Sequence, residues 1–278
     1  MQHNSSGHTG YISRRIPVPA EWNEVFSHFY YAANRSGKAI KKKLLPSFQT
    51  ILVFSFGPPA QILMADGEVI RVPKSMVIGP IRKSLQYILP AGNEILVANL
   101  KADSFYRFFA RSLRSYKEMI LHPDELLQTH CFSDLWEELK DISTPEKGIE
   151  RVLTLAATYL QEREAASTDL LQQTDDAAIN PVKDIAGKKQ VSERTVQLNY
   201  KKYLGYSARE LGRYQRFQQT IAFIDTIHQP GKDMDWFEVI HHSGYYDQSH
   251  LIHDFNYYLG ISPKQYLNLQ EEICVAAG

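Results

Sequence analysis

The chain has 278 residues, and its 31 Lys and Arg residues balance 31 Asp and Glu residues, so the formal net charge is zero. This length predicts roughly two domains, and the proportions of charged and hydrophobic residues are those of an ordinary globular protein. Because no apolar run reaches the roughly 18 residues of a membrane span, we expect no membrane partner. The first ten residues are polar and lack the apolar stretch of a secretory signal, which predicts a cytoplasmic location. Zero net charge also argues against nucleic acid as a partner, since nucleic-acid-binding domains usually carry a basic excess.

Short apolar runs bounded by Gly and Pro predict a β-rich region between about residues 11 and 105. The runs lie at residues 51–56, 62–64, 69–72, 76–78, 87–89 and 94–98. Between the second and third runs, Asp66 and Gly67 form a dipeptide that is typical of a β-hairpin turn. Several short strands with regular turn signals favour a sandwich or a barrel.

From Ser104 onward the apolar residues recur at helical spacing, starting with Phe105, Phe108 and Phe109. Further helices are predicted at residues 123–128, 132–139 and 145–162. Residues 164–178 are polar and rich in small side chains, so we interpret them as the end of the last helix followed by a linker. These patterns divide the chain into a β-rich domain at 1–110, a helical region with a linker at 111–179, and a helical domain at 180–278.

The last hundred residues repeat themselves at an offset of 55 residues. The matched pairs are Ile185 with Ile240, Ser192 with Asp247, Val196 with Leu251, Tyr200 with Phe255, Gly205 with Gly260, Ser207 with Ser262, and Leu211 with Tyr266. In each copy a short helix is followed by a capping residue, Ser192 or Asp247, and then by a second helix that ends at a glycine. Two helices joined by a tight turn are typical of a helix-turn-helix unit.

A longer helix is predicted between the two copies, from Ser207 to about residue 227. About 20 helical residues span about 30 Å. This length is close to the roughly 34 Å helical repeat of B-DNA. Two recognition helices held that far apart could enter successive major grooves on one side of a duplex.

Residues 244–255 (GYYDQSHLIHDF) and 259–266 (LGISPKQY) resemble the signature of the AraC/XylS family of bacterial transcription regulators. In the first copy, residues 191–200 (VSERTVQLNY) and 204–207 (LGYS) resemble the first motif of the same family. The resemblance covers roughly residues 180–268. It implies an all-α DNA-binding domain with two helix-turn-helix units joined by a long helix, and double-stranded DNA as the partner.

Four N-terminal segments resemble a β-rich, cupin-like sensor domain that is found fused to such modules: residues 44–46, 51–57, 79–80 and 99–101, with the helix that follows. The implied fold class is α+β, with a cupin-like barrel, then helices, then the all-α domain. The barrel would sense a small molecule or mediate dimerisation, which leaves a small-molecule effector and a homodimer open as partners. Its histidines, His3, His8 and His28, are too few for the metal cluster of cupin enzymes. We therefore expect no catalysis, no metal and no cofactor.

The resemblance places the N-terminal half of each recognition helix against the base edges of DNA. In the first helix the candidates are Arg194, Thr195 and Gln197, because Arg can bridge guanine and Gln can bridge adenine. The candidate phosphate contacts are Lys188, Lys189, Lys201 and Lys202. The candidates in the second helix are Gln248, Ser249, His250 and His253.

Three residues depart from the family pattern. Leu198 and His253 stand where Arg is common, and His241 stands where a small Ala is usual. Leu198 cannot hydrogen-bond a phosphate or a guanine, although it could contact a thymine methyl group. The larger ring of His241 either loosens the helix packing or points to solvent.

Charge differs between the two copies. Residues 180–216 contain nine basic and three acidic residues, a net charge of +6, whereas residues 217–278 contain two basic and eight acidic residues, a net charge of −6. The sequence therefore predicts a sequence-specific DNA-binding transcription regulator that anchors through its first unit. The second unit would bind DNA weakly or conditionally, or contact another protein, with RNA polymerase left open as that partner. The alternative is an effector-binding or protein-interaction protein whose DNA-binding module is degenerate.

Overall fold

The structure, a computed structural model, describes residues 10–64, 67–112, 120–172, 180–228, 233–269 and 273–274. The strands in these ranges form two sheets. The larger sheet has the order β1 (Tyr11–Ile16), β2 (Phe26–Asn34), β9 (Glu94–Leu100), β4 (Thr50–Phe56), β7 (Ser75–Ile78) and β10 (Ile120–Leu121). The smaller sheet has the order β11 (Ile273–Cys274), β3 (Ile40–Leu44), β8 (Leu85–Leu89), β5 (Ala60–Leu63) and β6 (Val69–Val72). Neighbouring strands are antiparallel, apart from the parallel pair of β11 and β3.

The two sheets face each other across an apolar core. Ile51 and Val53 of the larger sheet belong to the same buried cluster as Ile40, Ile62 and Leu89 of the smaller one. This is the packing of a β-sandwich, in which alternate side chains of each strand point inward. The strands therefore remain two sheets that do not close into one barrel, within the predicted α+β fold class.

Helices cover the opposite face of the larger sheet. Because side chains alternate along a strand, Leu52 and Phe54 point away from the sandwich core, and they join a second cluster with Phe105 and Phe132. The covering helices are α1 (Ser104–Phe109), α2 (Pro123–Leu127), α3 (Cys131–Leu139) and α4 (Pro145–Tyr159). Strand β4 is buried on both faces, which explains why residues 51–56 are apolar or aromatic at every position except Ser55 instead of alternating with polar residues.

Each predicted strand run overlaps an observed strand. Strands β5 and β6 pair antiparallel, with Leu63 opposite Val69, as the predicted hairpin requires. Asp66, the first residue of the predicted turn dipeptide, lies outside the described residues, as do the first nine residues of the chain. None of the helices in the described ranges combines the length and apolar character that a membrane crossing requires.

The prediction that residues 164–178 are the end of the preceding helix followed by a linker is wrong for their first half. Helix α4 ends at Tyr159, and a separate helix, α5 (Ala165–Gln172), follows it. Helix α5 forms because Ser167 and Leu170 are buried on one of its faces, each about 1% exposed. Polar and small residues on its other faces concealed this short helix in the sequence. Residues 173–179 lie outside the described part of the chain.

The C-terminal region is helical. Its helices are α6 (Pro181–Lys189), α7 (Glu193–Asn199), α8 (Ala208–Ile227), α9 (Trp236–His242), α10 (Gln248–Leu259) and α11 (Pro263–Leu269), with a π-helical turn at Tyr200–Leu204. A third buried cluster holds these helices together around Tyr200, Phe217, Phe255 and Tyr258. Helix α8 is the predicted long connecting helix, and a reciprocal capping box between Ser207 and Glu210 starts it.

Candidate nucleic-acid interface

The internal repeat is a repeat of structure as well as of sequence. Helices α6 and α9 begin 55 residues apart, and so do α7 and α10. Ser192 accepts a hydrogen bond from the backbone N–H of Thr195 at 3.1 Å, and Asp247 accepts one from the backbone N–H of His250 at 2.8 Å. These are the side-chain caps that the repeat predicts. Gly205 and Gly260 end the second helix of each copy in the left-handed region, with φ of 78° and 68°.

The first unit buries one face of its recognition helix and exposes the other. Val196 and Tyr200 are each 1% exposed and pack into the helical core. Arg194, Gln197 and Lys201 lie on the exposed side, at spacings of three and four residues. This side therefore presents a long cation, an amide and a second cation together to a ligand. The exposed Thr195 completes the predicted set, with its hydroxyl 2.9 Å from Ser192 Oγ.

Leu198, one of the residues that depart from the family pattern, shares this exposed side. Its side chain is 40% exposed, although leucine is usually buried. A leucine among polar recognition residues offers an apolar contact for the methyl group of a thymine.

Two of the four candidate phosphate-binding lysines are held by helix α5. Lys188 and Lys201 are exposed, whereas Lys189 Nζ lies 2.7 Å from Asp169 Oδ1. Lys202 Nζ lies 3.2 Å from Glu164 Oε2, just before α5 begins. Neither carboxylate was a candidate from the sequence, because residues 164–178 were interpreted as the end of the preceding helix followed by a linker.

Aromatic rings strengthen the contact of Lys202. Its Nζ lies 4.4 Å from the ring centre of Tyr203 and 4.9 Å from that of Tyr106, and the Tyr203 hydroxyl donates to Glu164 Oε2 at 2.5 Å. Hydrogen bonds from Tyr203, then from Tyr106 and Lys202, hold the pKa of Glu164 below its usual value. Burial lowers the pKa of Lys202, but hydrogen bonds to Tyr203, Tyr106 and Glu164 outweigh it and raise that pKa overall. Both groups therefore stay charged at neutral pH.

The second unit exposes Gln248, Ser249 and His253, the last with a side chain 69% exposed. His250 is half-buried, with its ring edge against Tyr245 and its Nε2 3.2 Å from Arg216 Nη2. Of the four candidates in this helix, His250 is thus the least exposed.

A buried carboxylate fixes the second recognition helix to the connecting helix. Asp254 is fully buried, and Arg213 donates to its Oδ1 from Nε at 2.7 Å and from Nη2 at 2.6 Å. Tyr245 donates its hydroxyl to Asp254 Oδ2 at 3.0 Å. Burial, and after it the charge of Asp254, raise the pKa of Tyr245 to about 12, so this hydroxyl remains a donor. Arg213 Nη2 also lies 3.0 Å from His253 Nδ1.

These contacts change the division of charge between the units. Arg213 and Arg216 precede residue 217 in sequence, but they lie against α10 and belong spatially to the second unit. Assigning them there changes the net charge of the first unit from +6 to +4 and that of the second unit from −6 to −4. Their spacing of three residues on one helix was the available signal for a shared face. Their partners, 41 and 34 residues away, left no local signal.

The histidine pair in α9 has two environments. The sequence left open whether the ring of His241 loosens the helix packing or points to solvent. In the structure His241 is exposed. The neighbouring His242 stacks on Phe223 with ring centres 3.7 Å apart and planes within 9°. Within the described residues, no group of three or more His, Cys, Asp or Glu side chains could hold a metal ion.

Residues 227–268 match the family model for bacterial regulatory helix-turn-helix proteins of the AraC family. The matched segment runs from the end of α8 through α9 and α10 into α11, which is the second of the two units. The chain carries an AraC-family DNA-binding domain. Its function is DNA-binding transcription regulation, which the sequence resemblance implied.

Among solved structures, ToxT from Vibrio cholerae is 13% identical with a TM-score of 0.42, covering 87% of this chain and 98% of its own. A ToxT structure bound to an unsaturated fatty acid is 13% identical, with a TM-score of 0.41 and full coverage of both chains. An RmlC-like cupin protein from Desulfovibrio desulfuricans is 12% identical with a TM-score of 0.27, covering 36% of this chain and 95% of its own. The search of curated protein sequences gives no match. The assignment rests on the family match and the paired units.

The β-sandwich contacts the AraC-family domain through one inserted ring. Phe48 stacks on Tyr214 with ring centres 4.2 Å apart, and its ring centre lies 5.1 Å from that of Tyr206 and 6.4 Å from that of Tyr258. Tyr214 also donates its hydroxyl to the carbonyl oxygen of Pro46 at 2.7 Å. Phe48 has a φ of 55°, a left-handed conformation that is strained for a bulky residue. We call this contact the Phe48 plug.

Polar contacts surround the Phe48 plug and reach both units. Arg82 donates to the carbonyl oxygen of Gly205, at the end of the first recognition helix. Lys43 Nζ donates to the carbonyl oxygen of Leu259 at 2.5 Å. The backbone N–H of Ser84 donates to the carbonyl oxygen of Tyr258 at 2.7 Å. The sandwich thus binds the C-terminal ends of both recognition helices at once.

Two cavities in the N-terminal part differ in size. A cavity lined by Phe26, Leu52, Phe109 and Val152 has a volume of about 10 Å³, no more than one water molecule needs. A second cavity, of about 300 Å³, opens at the surface beside Trp22 and Arg107. Only the second reaches the size range of small-molecule sites.

Proposed function

We propose that the chain is a sequence-specific transcription regulator that anchors on DNA through its first helix-turn-helix unit. The observation that carries this proposal is the exposed side of α7, where Arg194, Gln197 and Lys201 lie together. Arg194 and Gln197 would read base edges in the major groove, and Thr195 would contact the same groove. Lys188, Lys189, Lys201 and Lys202 would neutralise phosphates, which supplies most of the affinity.

The second unit is proposed to contribute less affinity than the first. Gln248, Ser249 and His253 can hydrogen-bond bases, but this recognition helix holds no Lys or Arg of its own. Phe237 and Tyr246 are 87% and 92% exposed, next to the acidic Asp235 and Asp247. Exposed aromatic rings beside carboxylates favour a basic protein surface as partner, and RNA polymerase is the partner we propose.

The N-terminal domain is proposed to control the DNA-binding domain, either by sensing a small molecule or by dimerising, without catalysis and without a cofactor. Its contacts with both recognition helices, through Arg82, Lys43 and Ser84, support this role. A change in the sandwich would thereby change the relative placement of the two units.

Matched substitutions in the two recognition helices test the anchor assignment. We expect Arg194→Ala to lower the affinity for a selected operator about tenfold or more, since a bidentate base contact contributes about 1–3 kcal/mol. Gln248→Ala should lower it less, and Arg71→Ala, an exposed arginine of strand β6, should not change it. Affinity is measured by fluorescence anisotropy at several salt concentrations. An Arg194→Ala protein with unchanged affinity and salt slope contradicts the assignment.

The alternative, a protein-interaction protein with a degenerate DNA module, is favoured by one observation. Lys189 and Lys202 are already paired with carboxylates of this chain. Binding to random duplex DNA at low salt separates the two functions. Complete absence of binding under these conditions supports the alternative.

A further inference from the structure

A surface cleft of about 300 Å³ lies between the start of β2, helix α1 and the end of α4. It is lined by Glu21, Trp22, Glu24, Val25, Arg107 and Leu160. The cleft has an apolar floor from Trp22, Val25 and Leu160, a guanidinium at one side and two carboxylates at its rim. Its volume falls at the lower end of the range for small-molecule sites.

Three polar atoms at the start of α1, one of them on the cleft residue Arg107, are buried without a hydrogen-bond partner among the described residues. They are Asp103 Oδ1, Ser104 Oγ and Arg107 Nη1. Asp103 and Ser104 are both fully buried. Arg107 follows Ser104 by three residues and Asp103 by four, so the spacing brings each of these two side chains to the face of Arg107. Such a group of unsatisfied atoms is rare in folded proteins and calls for a partner.

The polarity of these groups defines the missing partner. Arg107 Nη1 requires an acceptor, preferably an anion, whereas Asp103 Oδ1 requires a donor, preferably a cation. Burial lowers the pKa of the Arg107 guanidinium, although the charge of Asp103 opposes this effect, so an added anion would stabilise its charged form. The acids at the rim disfavour a ligand whose net charge is negative. A zwitterion with an apolar body meets all of these requirements.

We propose that this cleft binds an apolar α-amino acid, with its carboxylate at Arg107, its ammonium group toward Asp103 and its side chain on Trp22, Val25 and Leu160. The cleft lies on the helical side of the larger sheet, outside the sandwich core where a cupin-like barrel would enclose a ligand.

The same carboxylate connects the cleft to the DNA-binding domain. The other oxygen of Asp103, Oδ2, accepts hydrogen bonds from Ser167 Oγ at 2.7 Å and from Arg163 Nε at 3.0 Å. Ser167 belongs to α5, whose segment also carries the Glu164 and Asp169 that hold Lys202 and Lys189. A ligand that binds this packed arrangement shifts the population toward it. The amino acid therefore weakens DNA binding, a consequence that rests on the proposed regulator function.

Calorimetric titration of the full chain with L-leucine tests the site without reference to DNA. We expect one saturable site per chain. N-acetyl-L-leucine, which lacks the ammonium group, and L-leucinamide, which lacks the carboxylate, should each bind about tenfold more weakly or worse, because a charged hydrogen bond contributes about 1.5–3 kcal/mol. Absence of saturable L-leucine binding, or equal binding of the three compounds, overturns the proposal.

Substitutions locate the site. Arg107→Gln and Trp22→Ala should each weaken L-leucine binding about tenfold, whereas Arg71→Gln, on the smaller sheet, should leave it unchanged. Thermal unfolding of each variant identifies any that fails to fold. If neither variant folds, the comparison of L-leucine with its two analogues on the unaltered chain still decides the proposal. Undiminished binding by a folded Arg107→Gln protein overturns the proposal.

DNA affinity measured with and without L-leucine separates this proposal from the regulator function. We expect saturating L-leucine to lower DNA affinity at least about fivefold, the lower end of typical allosteric coupling. A chain that binds DNA but not L-leucine overturns the site alone. A chain that binds L-leucine but not DNA supports the site and overturns the regulator function. L-leucine binding that leaves DNA affinity unchanged overturns the regulatory role of the site.

Discussion

Lys189 Nζ lies 2.7 Å from Asp169 Oδ1, so a candidate phosphate contact of the first recognition unit is an ion-pair partner of helix α5. Lys202 and Glu164 form a second pair at 3.2 Å on the same side of the domain. A lysine cannot neutralise a phosphate fully while it remains bound to a carboxylate of its own chain. The two pairs therefore compete with DNA for these lysines.

The first prediction concerns this competition. The double substitution Glu164→Gln with Asp169→Asn should raise DNA affinity by about threefold to tenfold, since each exposed pair is worth up to about 1 kcal/mol. The slope of log affinity against log salt should steepen by about 0.9 for each lysine that gains a phosphate. Fluorescence anisotropy across a salt series measures both quantities.

The control carries the same charge change elsewhere. Glu137→Gln with Glu138→Gln removes two exposed carboxylates of α3, whose partners are Lys74, Lys140 and Arg151. If this control raises affinity and slope as much as the α5 double variant does, net charge alone accounts for the effect.

The second prediction concerns the Phe48 plug. Phe48→Ala should lower the free energy of unfolding by about 3 kcal/mol, within the usual cost of truncating a buried phenylalanine. It should also separate thermal unfolding into two calorimetric transitions, because the ring joins the sandwich to the helices. Phe48→Gly should be less destabilising than Phe48→Ala by about 1 kcal/mol, since glycine adopts a φ of 55° without strain. The opposite order would contradict strain at this position.

The third prediction concerns Asp254. Asp254→Ala should lower the free energy of unfolding by about 2–3 kcal/mol, since it leaves the partly buried Arg213 and the hydroxyl of Tyr245 without their acceptor. Asp254→Asn keeps one acceptor oxygen for Arg213, and its amide N–H can donate to the Tyr245 hydroxyl, so this variant should cost less. Urea denaturation measures both variants. Equal losses would contradict this order and show that a neutral acceptor recovers nothing, so that the carboxylate charge alone holds α10 to α8.

The fourth prediction concerns pH. His28 is 4% exposed, and its Nδ1 lies 3.0 Å from Arg15 Nη2. Burial, and then the Arg15 charge, lower its pKa to about 4. Between the unfolded value of about 6.5 and this value, the unfolded chain binds more protons, so stability falls as pH falls. The free energy of unfolding should drop by about 2 kcal/mol from pH 7 to pH 5 on account of this residue.

His28→Asn provides the comparison for the pH prediction. Asparagine keeps an acceptor near the position of Nδ1 and does not titrate. Urea denaturation at pH 5, 6 and 7 should therefore give a flatter profile for the variant than for the unaltered chain. Parallel profiles would show that another group dominates this pH range.

Features set by local chemistry could be predicted from the sequence. Both recognition helices are bounded by local signals, with caps at Ser192 and Asp247 and terminal glycines at 205 and 260. Because each signal acts within one helical turn, the sequence repeat was enough to locate both helices. The largely apolar run at 51–56 marked a strand, although only the structure explains its lack of alternation by burial on both faces.

Features set by distant contacts could not be predicted. Helix α5 depends on Ser167 bonding to Asp103, 64 residues earlier. Arg213 and Arg216 were counted with the first unit because their partners in α10 lie far along the chain. The left-handed Phe48 carries no local signal, since its conformation is maintained by tyrosines more than 150 residues away.

The Phe48 plug also affects how the DNA-binding domain behaves when it is separated from the rest of the chain. A fragment that begins at residue 180 would lose the ring that covers Tyr206, Tyr214 and Tyr258, which are now at most 7% exposed. These three rings would then form a contiguous apolar surface of the kind that drives self-association. The excised domain should therefore self-associate increasingly as its concentration rises. Polar substitutions at these tyrosines should reduce the self-association and restore solubility.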